Sequence, residues 1–558
     1  MEDRAELDSI LPYLPLLIGS SRRLLWPSKV VEALEAMSKG PDHSQVNSGQ
    51  VLSIAISDMR ASLSLRDPLA PFSPQGYSLF FDELLTAADS TKWFAEVIPP
   101  LANLLLRLPS LLDFHYQNMQ AYGYGLRILG PQQPGMVLLS QELIGALLAC
   151  SLFCLFPVSN RGVKHLPTIN FDQLFVSLYE SYSEKQENKV RCIVHYFQRI
   201  CSQMPTGFVS FERKLLSLEN HPSQSSASYP NADFWTKSTL SLCPFQVYSS
   251  GLIEDHSTGA LEVDFANKYL GGGALHRGCV QEEIRFMISP ELIAGMLFLP
   301  SMADNEAIEI VGAERFSDYT GYAFSFRFSG DYVDKRSVDF LGRRKTRIVA
   351  IDALCSPRMN QYKLKYLLRE TNKAFCGFLD QSNYSQYKRH FQDNGLSAGQ
   401  LHQDNKHDGD ISRNEVLLNE APSTSNETNE GGSRMEVVRK SDEKGGQFMD
   451  PENFIGIATG NWGCGAFGGD PELKTIIQWL AASQALRPFI SYYTFGLDAL
   501  QSLAQVSQWI LLHKWNVGDL WNMLIEYSSQ KSKGETNLGF FAWLLPSLPH
   551  CEAADPAN

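Results

Sequence analysis

The chain has 558 residues, 44% of them hydrophobic and 20% charged, which is too long for one ordinary core and excludes a fibrous or wholly disordered composition. Its formal net charge of −13 opposes non-specific binding to nucleic acid through the overall field, so any polyanionic ligand has to be gripped locally. Ten cysteines, with no CxxC pair and no zinc-ligand spacing, read as reduced structural thiols.

The start, "MEDRAELDSILPYLPLLIGSSRR", is acidic where a secretory signal is basic, which predicts a protein that stays inside the cell. From there to about Pro205 apolar residues recur at three- and four-residue steps, as in "FFDELLTAADSTKWFAEVIPPLANLLLRL" and "NFDQLFVSLYESYSEKQENKVRCIVHYFQRICSQM", so the first region reads as all-helical. The apolar run Leu143 to Val158 falls short of the roughly 20 residues a spanning helix needs and reads as a buried helix. Cys150 and Cys154, one turn apart within it, read as small core hydrophobes.

After "TGFVSFERKLL" the texture changes to short β-rich runs between helices: "GALEVDFANKYL", "AIEIVGAERF", "AFSFRFSGDYV" and "TRIVAIDAL". In "YAFSFRFSG" Tyr322, Phe324, Phe326 and Phe328 alternate with smaller or polar residues, which predicts a strand with one aromatic face turned to the core. Lys335, Arg336, Arg343, Arg344, Lys345 and Arg347 form the densest basic stretch, expected as a solvated hairpin. Residues 383–446 are rich in Asn, Asp, Glu, Ser and Gly and read as a disordered insert; the triplets at Asn383 and Asn426 would matter only in an exported protein. Structure resumes with a strand "FIGIAT", a glycine-rich loop, a helix capped by Asp470 with Pro471 in its first turn, and a strand "PFISYYTF", which is a parallel βαβ unit. The resulting division is a helical domain over 1–205, a sheet domain over 206–530 and a tail over 531–558.

Two stretches carry candidate chemistry. Gly463, Gly465, Gly468 and Gly469 in "GNWGCGAFGGD" let the backbone turn its N–H groups toward an anion ahead of a helix N-terminus, which suits a diphosphate. The spacing is neither GxGxxG nor a P-loop. In "GGGALHRGCVQEEIRF" three glycines allow close approach of the main chain while Gln281, Glu282 and Glu283 bring polar groups to the same volume; the plain alternative is a solvated helix start. Adjacent carboxylates cannot easily flank one glycosidic bond, so one has to do the proton work while the other accepts hydrogen bonds, and mutual repulsion with desolvation raises the proton affinity of one of them.

These residues resemble the signature of the poly(ADP-ribose) glycohydrolases, three glycines, a spacer and Gln-Glu-Glu, and further segments from "LIEDHSTGALEVDFANKYLGGG" to "YYTFG" resemble that family in order. The resemblance implies an α/β macrodomain-type mixed sheet flanked by helices and preceded by the all-helical accessory domain. It implies hydrolysis of ribose–ribose O-glycosidic bonds, mainly from the chain end, with no metal and no cofactor. By similarity Glu283 is the general acid and base, Glu282 orients ribose hydroxyls, and Asn267 fixes the same sugar. Gly272, Gly273 and Gln281 belong to the catalytic loop, Gly465, Ala466 and Phe467 line the diphosphate, Tyr322 and Phe495 flank adenosine and diphosphate, and Glu254 with Ile253 contacts adenine. The implied partners are poly(ADP-ribose) and proteins carrying it, with no membrane or sequence-specific nucleic-acid contact; a monomer in the nucleus, shared with the cytoplasm, is expected. The rivals are a non-catalytic reader of ADP-ribose, disfavoured by the two glutamates, and a hydrolase of single ADP-ribose units on proteins, disfavoured by the Gln-Glu-Glu loop.

Overall fold

The computed structural model describes residues 5–19, 23–65, 67–119, 122–218, 227–255, 259–380 and 455–545. The segment expected as a disordered insert, with Asn383 and Asn426, lies outside the described residues.

A short ribbon, β1 (Leu17–Ile18) with β2 (Leu24–Leu25), stands apart from the main sheet. That sheet comprises β3 (Gly135–Ser140), β4 (Phe208–Leu215), β5 (Phe245–Tyr248), β6 (Leu261–Asp264), β7 (Glu306–Val311), β10 (Arg347–Ala350), β11 (Ile457–Gly460) and β12 (Ile490–Tyr493), while β8 (Ser317–Thr320) and β9 (Arg327–Asp331) make a separate hairpin. Its strands lie in the order β3-β4-β7-β10-β6-β11-β12-β5. From β10 to β5 neighbours are parallel; β7, β4 and β3 continue antiparallel. Every residue of β6, β11 and β12 is buried, as parallel strands covered on both faces require.

The helices that bear on the site are α1 (Ile98–Met119), α2 (Gln141–Leu152), α3 (Glu184–Ser202), α4 (Gln281–Ile288), α5 (Pro471–Gln484), α6 (Val517–Lys533) and α7 (Phe540–Leu544). Strand β11, helix α5 and strand β12 form the expected βαβ unit, in register from Ile457 opposite Ile490 to Gly460 opposite Tyr493. Asp470 caps α5 by accepting from the amides of Glu472 and Leu473 at 2.9 and 3.2 Å. Helix α2 is buried from Leu143 to Leu152, and Cys150 and Cys154 are core residues as expected. The helical run Ala87–Met119, which ends in α1 and is long and apolar enough by composition to cross a membrane, turns Leu101, Leu105, Leu108 and Leu112 into the protein core.

Three expectations need correction. The first 205 residues are not all helix: "GMVLLS" forms β3, which pairs with β4 from Gly135 opposite Arg213 to Ser140 opposite Phe208. A short apolar run satisfies either period, and the open edge of β4 selects the strand. The aromatic alternation is broken by a 3-10 turn over Ala323–Ser325 with Ala323 at φ 52°, so Phe326 is buried but Tyr322 and Phe324 are exposed. The basic stretch does turn back as a hairpin, with Val338 bridged antiparallel to Arg344, but its arginines are not solvated: Arg336 reaches Glu262 at 3.0 Å, Arg344 reaches Glu314 at 3.3 Å and Arg347 reaches Glu309 at 2.5 Å, all inward to buried carboxylates. The region set apart as a tail, for which no structure was expected or excluded, holds a docked helix, α7, with Phe540 and Phe541 buried and the Phe541 amide donating to Glu472 at 2.6 Å.

The core also ignores the expected boundary near residue 205. One continuous cluster of buried side chains joins Leu101 of α1, Leu147 of α2 and Phe197 of α3 to Phe211 of β4 and Phe286 and Met287 of α4. Tyr196 of α3 meets Phe316 edge-to-face at 4.9 Å.

Candidate active site

The carboxyl ends of β6, β10, β11 and β12 open on one side of the parallel portion of the sheet, the position where ligands of such sheets bind. A cavity of about 410 Å³ lies there. Of the residues singled out in the sequence, Ile253, Glu254, Gln281, Tyr322, Gly465, Ala466, Phe467 and Phe495 line it. Asn267, Gly272, Gly273, Glu282 and Glu283 are not part of the lining; they build the loop behind the wall that Val280, Gln281 and Ile284 present.

That loop leaves β6 at Asp264 and returns into α4 at Gln281. Both glutamates lie in the first turn of α4, so the helix-start reading holds for position, but neither is solvated: Glu282 is 3% and Glu283 7% exposed. Their carboxyls fold back onto the loop. Glu282 accepts from the amides of Asn267 at 2.8 Å and Gly271 at 2.7 Å; Glu283 accepts from Gly273 and Val280, both at 2.9 Å. The Val280 contact is the reach-back of a third helical residue to its N-cap amide. Gly271 and Gly272 adopt φ of 85° and 48°, and a β carbon on Gly272 would stand 2.5 Å from Glu282 Oε2 and 2.8 Å from Glu283 Oε1. The glycines are therefore required by space as well as by backbone angle. Gln281 braces the other side, accepting from the Phe265 amide at 2.8 Å and donating to Val263 O at 3.1 Å.

Sequence reasoning missed a third carboxyl. Asp264, the last residue of β6, is 1% exposed, and neither of its oxygens has a hydrogen-bond partner among the described residues. Burial, with Glu283 nearby, pushes it up to about 8, while Arg285 pulls the other way. Burial, then the charges of Asp264 and Glu283, push Glu282 well above the carboxylate range against the pull of the Asn267 and Gly271 amides. The raised proton affinity expected of one carboxyl thus falls on Glu282 and Asp264. The available signal was an aspartate inside an otherwise apolar strand, "LEVD", where an unpaired charge is costly.

The glycine loop after β11 closes on itself through Gly468 N to Gly465 O at 3.0 Å and Gly469 N to Gly463 O at 2.9 Å. Among the described residues, the amides of Gly465, Ala466 and Phe467 between them donate to no main-chain carbonyl, and all three residues line the cavity. Such a run of open N–H groups ahead of α5 suits an anion. Phe495 sits beyond β12 at φ 52° and half exposed, the kind of backbone strain that collects at binding sites. Glu254 is 6% exposed; its carboxylate accepts from the Tyr319 hydroxyl at 2.5 Å and its carbonyl from Arg336 at 2.6 Å. Tyr319 and Phe265, also on the cavity wall, were not picked out from sequence, because their role depends on which loops converge.

Fold and site together define an α/β protein whose crevice is lined by a glycine loop with open amides and backed by a buried carboxyl cluster. The family model for the helical domain of poly(ADP-ribose) glycohydrolase matches residues 85–213, and that for its macro domain fold matches residues 232–502. The chain is 59% identical over 552 residues to poly(ADP-ribose) glycohydrolase 1 of Arabidopsis thaliana, covering 98% of both chains. It is 52% identical over 554 residues to the probable poly(ADP-ribose) glycohydrolase 2 of the same plant, covering 98% of this chain and all of that one. Poly(ADP-ribose) glycohydrolase 1 of Caenorhabditis elegans is 29% identical over 320 residues, which is 55% of this chain and 31% of that protein. The chain belongs to the poly(ADP-ribose) glycohydrolase family.

Proposed function

We propose that this protein hydrolyses the ribose–ribose O-glycosidic bonds of poly(ADP-ribose) and releases ADP-ribose. The observation that supports it most is Glu283, held at both oxygens by loop amides beside a cavity whose far side is the open-amide glycine loop. In this reading the pyrophosphate rests on Gly465, Ala466 and Phe467, adenosine lies among Ile253, Glu254, Tyr322 and Phe495, and the scissile ribose faces the acid loop. Stacking on Phe495 contributes about 1–3 kcal/mol, by analogy with base stacking on aromatic side chains.

Glu283 gives a proton to the departing 2′ oxygen, then as carboxylate takes one from the water that attacks the oxocarbenium-like carbon. Glu282, with Asn267, orients the ribose hydroxyls. Burial pushes Asp264 up to about 8 and raises Glu282 in the same direction, which lessens like-charge repulsion within the cluster. The Gly272 amide donates to Tyr269 O at 3.0 Å and the Gly273 amide to Glu283 itself at 2.9 Å, which keeps the loop folded against the carboxyl.

The test is release of ADP-ribose from purified polymer. The wild-type chain is expected to shorten the polymer, and Glu283→Gln to lose about 10²–10⁴-fold in kcat while still binding ADP-ribose. Polymer bound at unchanged length would instead mark a reader, and release confined to singly modified proteins would mark a mono-ADP-ribosyl hydrolase. Nuclear residence, shared with the cytoplasm, is part of the proposal and is checked by imaging a tagged chain.

A further inference from the structure

We infer that Lys189, on helix α3 of the helical region, is a positioning residue that holds the acid loop in its reactive shape. This rests on the reading of that loop as the reactive centre. The Lys189 side chain is fully buried, and its Nζ reaches three carbonyls of the loop: His276 O at 2.6 Å, Gly278 O at 2.6 Å and Gly273 O at 3.4 Å. An ammonium has three N–H donors, and here they meet three acceptors. Two of these residues bear directly on Glu283: the Gly273 amide donates to its Oε1, and a β carbon on Gly278 would stand 2.7 Å from its carboxyl carbon. Lys189 therefore fixes the main-chain walls between which Glu283 sits.

The contact is part of a longer brace. Gln186 Nε2 also donates to His276 O at 3.0 Å, and Lys185 Nζ to Arg277 O at 3.3 Å. Another face of α3 holds the β8–β9 hairpin that carries Tyr319 and leads to Tyr322: Asn188 accepts from the Phe328 amide at 3.0 Å, and His195 meets Asp331 at 3.0 Å. One helix outside the sheet thus grips the acid loop and the aromatic side of the cavity together.

The arrangement also carries a charge argument. The groups facing Lys189 are Glu283, Cys279, Cys192, Lys185 and His276. Burial lowers the ammonium to about 8, against the opposing pull of Cys279 and Glu283. Above that pH the amine has two hydrogens for three carbonyls, and the grip loosens.

The experiment compares the full-length wild type with Lys189→Met and Lys189→Arg in polymer turnover, ADP-ribose affinity by calorimetry, and amide hydrogen exchange across residues 271–283. Lys189→Met is expected to lose 30-fold or more in kcat, since a displacement on the order of 1 Å costs about 10²-fold, with ADP-ribose affinity within threefold and faster exchange in the loop. Lys189→Arg, which stays charged, is expected to recover part of kcat and to hold its rate above pH 8, where the wild type declines. A folded Lys189→Met with kcat within threefold of wild type overturns the inference, and so does unchanged loop exchange. If Lys189→Met does not fold, Lys189→Gln goes through the same comparison with the same overturning results. A wild-type chain that releases no ADP-ribose overturns the functional reading instead, and loop exchange, which needs no turnover, then decides on Lys189 by itself.

Discussion

Gly272 illustrates how much of the chemistry is carried by what a residue lacks. A β carbon there would meet both glutamate carboxyls within 3 Å, and its φ of 48° lies in the left-handed region. Gly272→Ala is expected to cost about 1–2 kcal/mol of stability through the backbone, and more where the two buried carboxyls give up hydrogen bonds from the loop amides. Its kcat for ADP-ribose release is expected to fall by about 10²-fold, since both carboxyls must move. Asp264 supplies a pH dependence. Its folded-state value near 8 lies above the ordinary carboxylate value, so the folded chain holds a proton that the unfolded chain releases. Stability from this group is therefore lost as pH rises through the window up to about 8 and is level beyond it. Asp264→Asn is expected to flatten the decline of unfolding free energy between pH 5 and pH 8, by an amount on the order of a few kcal/mol at most, measured by denaturant titration at each pH. Residue-level reading of the sequence found Glu282 and Glu283 through their motif. It passed over Lys189 because a lysine in "EKQENKVRC" looks solvent-facing, although Gln186, Lys189, Val190, Ile193 and Phe197 all fall on the buried stripe of α3.

At the scale of elements, helix α5 ties the glycine loop to the sheet. Asp470 caps it, accepts from the Tyr362 hydroxyl at 2.6 Å and donates its own amide to Gln361 at 2.8 Å, one residue after Gly469. Asp470→Ala is expected to lower stability by about 1–2 kcal/mol through the lost cap and to weaken ADP-ribose binding several-fold, measured by thermal unfolding and calorimetry. The order of β11, loop, α5 and β12 was legible because cap, proline and periodicity agreed. The hairpin after β7 was not. Its alternating aromatics fit a strand, but Ser325 closes a turn at Ala323, its hydroxyl accepting from the Tyr322 amide at 3.0 Å and donating to Tyr322 O at 2.9 Å, and the strand beyond is held to α3 by the Phe328 amide donating to Asn188, 140 positions earlier, a contact no local pattern encodes. The basic stretch misled for the same reason: buried glutamates on β6 and β7 draw its arginines inward.

At the scale of the whole molecule, the helical region and the sheet share a core, and β3 completes the sheet edge at β4. A chain cut to residues 206–558 is expected to lose its cooperative calorimetric transition and to precipitate, because removal of α1 to α3 uncovers Phe211, Phe286 and Met287 and frees the hydrogen-bonding edge of β4. Texture separated a mostly helical front from a sheet-rich remainder, but it placed β3 on the helical side, because texture says nothing of where a strand's partner lies. The borrowed strand has a consequence for engineering. Swapping the front half between relatives cannot work like exchanging cassettes, because any crossover near residue 206 has to match a six-residue β register and a lysine's reach into the acid loop. Chimeras joined upstream of residue 135 keep both, and recombination should be sought there.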